Sequence, residues 1–475
     1  MGKNRAYRAT AVKSVHLEEV TRSREGQPAT VGVDVGKEEA RVVVRWEDGT
    51  FERPWRVKNP GEVRELTDVL TRLSRGRSLR IGIEPTGTYG EAFRQAWTDA
   101  KLEVHRVGGK AVHDYAEIFD GVPSQHDGKD AAIVAELVAL GKCSPWPYRA
   151  STAAEAEMGY WVDWLDAQQT MESMWIGRLE ALLARHWPEA TGLLRLGSVT
   201  LLEAMARYGG PGKLAEDQDA AGVLAGWGGP GLTEEKIEAL LRSAAGTVGV
   251  RPCGYDLKQV QRCATMALSA HREVRKARKE LVRLGEGNAV LQRQSEAVGM
   301  ATACVLWVTL GDPRDYRCGE GYRKAMGLNL KERSSGKHEG KLKITKRGAS
   351  APRRWLYFAA MRWCQEGSVR RWYERKKAKD KGRGEGALIA IVRKLALALY
   401  RVAVDDEPFD ASRLFPGCGK RVNQARGENR STDQKGDAGL ATRRPKRVTG
   451  EYHASSLFTA VGGSERLGED LPERG

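Results

Sequence analysis

The chain has 475 residues, of which 41% are hydrophobic and 29% are charged, a composition typical of a water-soluble protein with more than one folded core. The formal net charge of +16 favours a polyanionic partner such as nucleic acid, because phosphate contacts release condensed counterions. No run of about 18 apolar residues occurs, and the polar, basic start lacks the apolar region of a secretory signal, so we expect a cytoplasmic protein. The seven cysteines form no CxxC pair, which favours scattered reduced thiols.

An α/β domain is predicted over residues 28–150, behind a flexible basic leader at 1–27. β-rich runs and apolar residues at helical spacing predict, in chain order, strands at 29–35, 40–46 and 51–57, a helix at 60–75, a strand at 78–85, a helix at 88–100, a strand at 102–107 and a helix that begins near Asp127. Three consecutive strands followed by alternating helices and strands are typical of an RNase H-like fold. Several unrelated α/β folds share part of this order.

The rest of the chain is predicted to be mainly helical. Residues 151–290 contain two long runs rich in Ala, Leu, Glu and Arg, which indicate a helical coiled-coil hairpin and an oligomer contact. Residues 291–405 predict a mainly α C-terminal domain that carries a basic Ser/Gly loop. Residues 406–475 are too polar to bury much apolar surface, so we expect a disordered tail.

Four carboxylates stand where this fold would bring them together. Asp34 interrupts the first apolar strand, and Glu84 ends the fourth. Asp127 and Asp130 share one face of the last helix of the domain. Carboxylates held together repel one another unless a cation neutralises them, and such hard oxygen ligands suit Mg²⁺ or Mn²⁺. Taken singly, each has an ordinary alternative: Asp127 could cap its helix, and Glu84 and Asp130 could face water.

A second candidate site is the loop that contains Ser334 and Ser335, directly before Gly336. A serine hydroxyl beside cations can attack phosphorus, while the cations stabilise the transition state. A phosphate-contacting serine or an exposed turn are the alternatives. The cations near the loop, predicted to bind nucleic acid, are Arg333, Lys337, Lys343, Lys346 and Arg347, joined by Arg353 and Arg354 at the start of the next helix.

These motifs resemble those of the insertion sequence 110 transposases, also called DEDD recombinases. In the N-terminal part, VGVDVGK, IEPTGTYG and SQHDGKDAAIVAEL are similar to the family's first-strand, Glu and paired-Asp motifs over about residues 29–142. In the C-terminal part, GLNLKERSSG and ITKRG followed by Arg353 are similar to its second conserved region over about residues 293–362.

The resemblance implies roles for both sets of residues. Asp34, Glu84, Asp127 and Asp130 would form a RuvC-like tetrad that binds Mg²⁺, with Mn²⁺ as an alternative. Ser335 would be the nucleophile and would act with the tetrad of a partner subunit, although the choice between Ser334 and Ser335 stays open.

The resemblance also implies partners. These would be double-stranded donor and target DNA, a structured non-coding guide (bridge) RNA, and further copies of the chain in a dimer or tetramer, in the bacterial cytoplasm at the nucleoid. The expected function is excision and insertion of a mobile DNA element. The alternatives are an RNase H-like junction nuclease that does not join strands, and a non-catalytic nucleic-acid-binding protein.

Overall fold

The computed structural model describes residues 9–85, 87–119, 127–332, 340, 342–365, 367–380 and 382–415. They belong to two units, Met1–Ala153 and Ala154–Gly475, called here the N-terminal unit and the C-terminal unit. The first combines a mixed β-sheet with helices, and the second is mostly helical, as the sequence predicts. None of the described helices is long and apolar enough to cross a membrane.

One sheet organises the described part of the N-terminal unit. Its strands are β1 (Thr10–Ala11), β2 (Ala29–Val35), β3 (Glu39–Trp46), β4 (Trp55–Lys58), β5 (Leu79–Ile83), β6 (Glu103–Arg106) and β7 (Ser144–Pro145). Their order across the sheet is β1-β4-β3-β2-β5-β6-β7. β2, β3 and β4 form the antiparallel meander, and β5 and β6 run parallel to β2. The sheet therefore mixes a meander with parallel crossovers, as expected.

Helices cover both faces of this sheet. They are α1 (Leu17–Val20), α2 (Val63–Leu73), α3 (Glu91–Asp99), α4 (Gly109–Phe119) and α5 (Asp127–Ala139). Side chains alternate along a strand. Val31 and Val33 of β2 therefore share one core with Leu66 of α2 and Phe93 of α3. Gly32, which lies between the two valines, faces α5. Helix α4 was not predicted, although Ala111, Val112, Tyr115 and Phe119 stand at helical spacing and pack in one core with α5.

Glycines let α5 lie unusually close to the sheet. A Cβ atom at Gly32 would lie 1.9 Å from the carbonyl oxygen of Ala131 and 2.3 Å from the amide nitrogen of Ala135. A Cβ atom at Gly82 would lie 2.4 Å from a methyl group of Val138. Only glycine permits this approach of helix to strand. The contact fixes the height at which the first turn of α5 sits over the ends of β2 and β5.

The expected leader at 1–27 is folded in the part that the structure describes. Thr10–Ala11 pairs in parallel with β4, and Val12 begins a short 3₁₀ helix, Val12–Ser14, with an exposed fraction of 1%. Val15, Leu17 and Val20 pack against the same core. The prediction was wrong for these residues because the basic composition of the segment hid a small set of spaced apolar residues.

The C-terminal unit is a helical assembly with one short hairpin. Its described helices are α6 (Ala153–His186), α7 (Ala190–Leu193), α8 (Val199–Tyr208), α9 (Pro211–Glu216), α10 (Ala220–Trp227), α11 (Glu234–Ala245), α12 (Gly254–Gly285), α13 (Ala289–Val298), α14 (Met300–Leu310), α15 (Gly319–Ala325), α16 (Ser350–Trp363), α17 (Gly367–Lys379), α18 (Gly384–Val404) and α19 (Ala411–Leu414). A two-stranded antiparallel ladder joins β8 (Leu330–Lys331) to β9 (Lys343–Ile344).

The two long helices α6 and α12 run antiparallel beside each other. Their contacts pair residues in opposite order, Glu157 with Arg283, Trp164 with Glu273, Glu172 with His271 and His186 with Asp256. Both long helical runs predicted from the sequence are therefore present. A coiled-coil contact between copies of the chain stays a prediction.

One apolar core crosses the predicted domain boundary at residue 290. It includes Leu165 of α6, Leu356 of α16 and Leu395 of α18. It also includes Phe409 and Phe415, with exposed fractions of 6% and 1%, so the disordered tail expected from residue 406 does not begin there. The prediction missed Phe409 and Phe415 because the average composition of residues 406–475 is polar. Residues 416–475 lie outside the described residues.

Candidate active site

Asp34 and Glu84 lie at the ends of two neighbouring parallel strands. The register of β2 and β5 aligns Gly32 with Gly82 and Val33 with Ile83, so one further step brings Asp34 beside Glu84. Adjacent strands lie about 4.8 Å apart. Because Gly32 and Gly82 face α5, the alternation of side chains turns both carboxylates towards that helix as well.

Asp130 approaches this pair from the first turn of α5. It directly precedes Ala131, the residue that meets β2 at Gly32. Burial is the main cause that raises the pKa of Glu84, and the negative charge of Asp130 raises it further. Two half-buried carboxylates that repel each other are a donor set suited to a hard divalent cation.

The fourth predicted ligand is Asp127, the first residue of α5. Its side chain lies outside the described part of the chain. Within the described part, which lacks that side chain, no group of three or more His, Cys, Asp or Glu residues is arranged to hold a metal ion. A metal centre with four ligands therefore stays a prediction.

Two residues beside the carboxylates were missed by sequence reasoning. A Cβ atom at Gly109, the first residue of α4, would lie 2.2 Å from Oε1 of Glu84. Lys129, between the paired aspartates, has an exposed fraction of only 1%. No sequence signal marks Gly109, because its contribution is the absence of a side chain. Lys129 could have been noticed as a cation within an acidic motif.

The position of α5 is also held by polar contacts with the sheet. Arg45 on β3 forms an ion pair with Glu136 on α5, and both side chains are 16% exposed. The hydroxyl of Thr30 on β2 donates to the carbonyl oxygen of Ala135 at 3.1 Å. These contacts lie along the helix that carries Asp127 and Asp130, and so they restrict how far it can shift.

Part of the predicted serine loop lies outside the described residues, including Ser334, Ser335, Arg333 and Lys337. The structure describes the two strands that flank the loop, β8 and β9. Antiparallel pairing of Leu330 with Ile344 and of Lys331 with Lys343 closes the loop at its base. Lys343, Lys346 and Arg347 are exposed after the loop.

Arg353 and Arg354 have internal partners in the C-terminal unit. One guanidinium nitrogen of Arg353 donates to the carbonyl oxygens of Met326, Gly348 and Ala349 at 2.8, 2.9 and 2.9 Å. Arg354 forms an ion pair with Asp166 of α6. Burial lowers the pKa of both arginines. Arg353 therefore fastens the segment after β9 to the turn before β8, and a nucleic-acid contact by either residue stays a prediction.

Both candidate sites fall within matches to known transposases. A family model for the DEDD type of transposase found in IS110 elements matches residues 31–162, and the model described as "Transposase IS116/IS110/IS902 family" matches residues 291–374. The matches identify the chain as an enzyme of the DNA transposase and recombinase class, whose substrate is DNA. The DEDD domain implies dependence on a divalent metal.

The family resemblance of the motifs is thereby confirmed. The two matched segments are similar to the two domains of IS110-family transposases. The first match contains Asp34, Glu84 and the paired aspartates of α5, and the second contains the serine loop. A comparison with curated proteins found no significant match.

Proposed function

We propose that this transposase excises and inserts a mobile DNA element, with an RNase H-like, RuvC-like nuclease site in its N-terminal unit. The observation that supports the proposal is that Asp34 and Glu84 end two neighbouring parallel strands, and that the charge of Asp130, on the first turn of α5, acts on Glu84. Carboxylates brought together from distant parts of the sequence repel one another, and a bound cation would relieve that repulsion.

Asp34, Glu84, Asp127 and Asp130 would hold Mg²⁺, with Mn²⁺ as an alternative. Bound there, the ion would lower the pKa of the attacking hydroxyl or water and stabilise charge on the leaving oxygen. Asp34 and Glu84 sit on the rigid ends of strands, and α5 is fixed against Gly32. The chain thus supplies ligands whose positions are set before DNA arrives.

The metal site is tested by removing one carboxylate charge at a time. Asp34→Asn, Glu84→Gln, Asp127→Asn and Asp130→Asn should each weaken Mn²⁺ binding measured by calorimetry and abolish DNA cleavage. Asp68→Asn, an exposed carboxylate on α2, is the matched control and should change neither. If all four variants bind Mn²⁺ as the wild type does, the proposed site is wrong.

A serine nucleophile in the loop between β8 and β9 would distinguish a recombinase from a nuclease. The hydroxyl of Ser335 would give up its proton as its oxygen forms a bond to phosphorus, the bond from phosphorus to a sugar oxygen would break, and that oxygen would take up a proton. Ser335→Ala should abolish both the covalent protein–DNA adduct and strand joining, with metal binding intact. Ser334→Ala, tested in parallel, shows which of the two serines attacks. Unaffected DNA cleavage by both variants would favour the junction nuclease.

The partners follow from the same proposal. We expect donor and target DNA, a structured guide RNA and a homo-oligomer, in the cytoplasm at the nucleoid. Sequencing of RNA that co-purifies with the protein tests the guide, and light scattering tests the oligomer. The non-catalytic alternative predicts that Asp34→Ala alters neither metal affinity nor any activity on DNA.

Helix α17 offers one surface for the backbone of nucleic acid. Arg371, Arg375 and Lys379 are exposed at intervals of four residues, and so they form one ridge of the helix. Glu374 is the one acidic residue within α17, and it pairs with Lys377. Such a row of cations would contact the phosphates of a nucleic acid and would not distinguish its base sequence.

A further inference from the structure

Two arginines lie beside the segment that leads into the serine loop. Arg393 of α18 donates from Nε to the carbonyl oxygen of Leu328 at 3.0 Å. The amide of Leu328 in turn donates to the carbonyl oxygen of Arg323 at the end of α15, at 3.3 Å. Leu328 stands two residues before β8, so both arginines flank the base of the hairpin that carries Ser334 and Ser335.

Neither arginine is neutralised by a carboxylate in the part of the chain that the structure describes. Nε of Arg323 is buried and has no hydrogen-bond acceptor. The two guanidinium groups also act on each other: burial lowers the pKa of Arg393, and the positive charge of Arg323 lowers it further. By contrast, Arg354, in the same unit, is paired with the carboxylate of Asp166.

Two neighbouring arginines that no carboxylate neutralises in the described residues, one of them with an unpaired Nε, suit an anionic ligand. The planar guanidinium group matches a phosphate oxygen pair better than any other side chain does, and a phosphate between two arginines would relieve their repulsion. Lys331 and Lys343 of the hairpin add positive charge near the same segment. If the serine loop cleaves DNA as proposed, a DNA strand lies beside this segment, and a phosphodiester of that strand is the anion expected there.

We propose that Arg323 and Arg393 bind a phosphodiester of the DNA strand presented to the serine loop. The site rests on the proposed function and deepens it, because it supplies the contact that would hold the strand in register with the nucleophile. The contact is to the backbone and is independent of base sequence.

The salt dependence of DNA binding tests this site. Arg323→Gln and Arg393→Gln should each weaken binding of a duplex oligonucleotide about tenfold and reduce the slope of log K against log salt by about 1. Arg314→Gln is the matched control, because Arg314 is exposed and already paired with Asp312. It should bind as the wild type does. If Arg323→Gln keeps the affinity and the slope of the wild type, the site is wrong.

A second measurement does not depend on DNA. Inorganic phosphate should raise the melting temperature of the wild type more than chloride of equal ionic strength does, and it should lose this effect in Arg323→Gln. Equal shifts in both proteins would overturn the anion site. Arg323→Gln is the decisive variant, because its side chain makes no hydrogen bond that supports the fold in the described residues, whereas Arg393→Gln also removes the bond to Leu328.

The two measurements separate this inference from the proposed function. Loss of metal-dependent cleavage in every preparation, with a phosphate effect that requires Arg323, would refute the function and keep the anion site. Normal cleavage and joining by Arg323→Gln, with unchanged DNA affinity, would keep the function and refute the anion site.

Discussion

Substituting Gly32 by alanine should disturb the carboxylate site without touching a carboxylate. The new Cβ atom would lie 1.9 Å from the carbonyl oxygen of Ala131 and 2.3 Å from the amide nitrogen of Ala135, whereas ordinary contact begins at 3.4 Å. Both atoms are backbone, so α5 itself must retreat by about 1.5 Å. Asp127 and Asp130 would move with it.

The energetic cost follows from two opposed effects. Overpacking a close contact costs about 1–3 kcal/mol, whereas Gly→Ala stabilises by about 0.4–1 kcal/mol through the unfolded chain where the backbone is compatible. The new Cβ atom would clash with backbone atoms of α5, which cannot move aside as a side chain can. The cost of overpacking should therefore exceed the gain from the unfolded chain. We expect a fall of about 1–2 kcal/mol in the free energy of unfolding and of about 2–8 °C in Tm.

Cleavage should suffer more than stability. A misplacement of about 1 Å costs about 100-fold in rate where reacting groups must align. Urea unfolding and metal-dependent DNA cleavage, measured on the same preparation, report the two effects. Gly61→Ala is the matched control, because a Cβ atom there meets nothing within 4 Å. If Gly32→Ala matches the wild type in both assays, the close approach of α5 to β2 does not set the site.

Three further predictions concern the N-terminal unit. Gly109→Ala should place a methyl group against Oε1 of Glu84 and weaken Mn²⁺ binding by calorimetry, with little change in far-ultraviolet circular dichroism. Arg45→Leu should leave the mostly buried Glu136 without its partner and lower the free energy of unfolding by about 1–3 kcal/mol in urea titrations; an unchanged midpoint would refute this. The amide of Lys58 is the main cause that lowers the pKa of Glu62, so its folded pKa lies below the unfolded value. Its stabilisation is therefore present above the unfolded pKa and is lost as pH falls through the folded pKa, and the difference in urea midpoint between the wild type and Glu62→Gln should shrink from pH 7 to pH 3.

The sheet could be predicted from the sequence because its strands carry strong local signals. The run at 29–35 coincides with β2, and the run at 40–46 differs from β3 by one residue. The mixture of antiparallel and parallel strands could be expected from the succession of three strands followed by alternating helices and strands. The side of the sheet on which Asp34 and Glu84 lie follows from the alternation of side chains once the strands are known.

Other features depend on contacts that local patterns do not encode. Strand β1 is held by pairing with β4, which is distant in the sequence. Gly109 matters only because Glu84 folds against it. The lack of a carboxylate partner for Arg323 and Arg393 within the described residues is likewise a property of tertiary structure.

The most direct test of the carboxylate site is a crystal structure of the protein grown with Mn²⁺, with the metal located by its anomalous scattering. We expect a Mn²⁺ peak bound by carboxylate oxygens of Asp34, Glu84 and the paired aspartates of α5, at about 2.0–2.4 Å. A fully occupied Mn²⁺ elsewhere, with none at this end of the sheet, would contradict it.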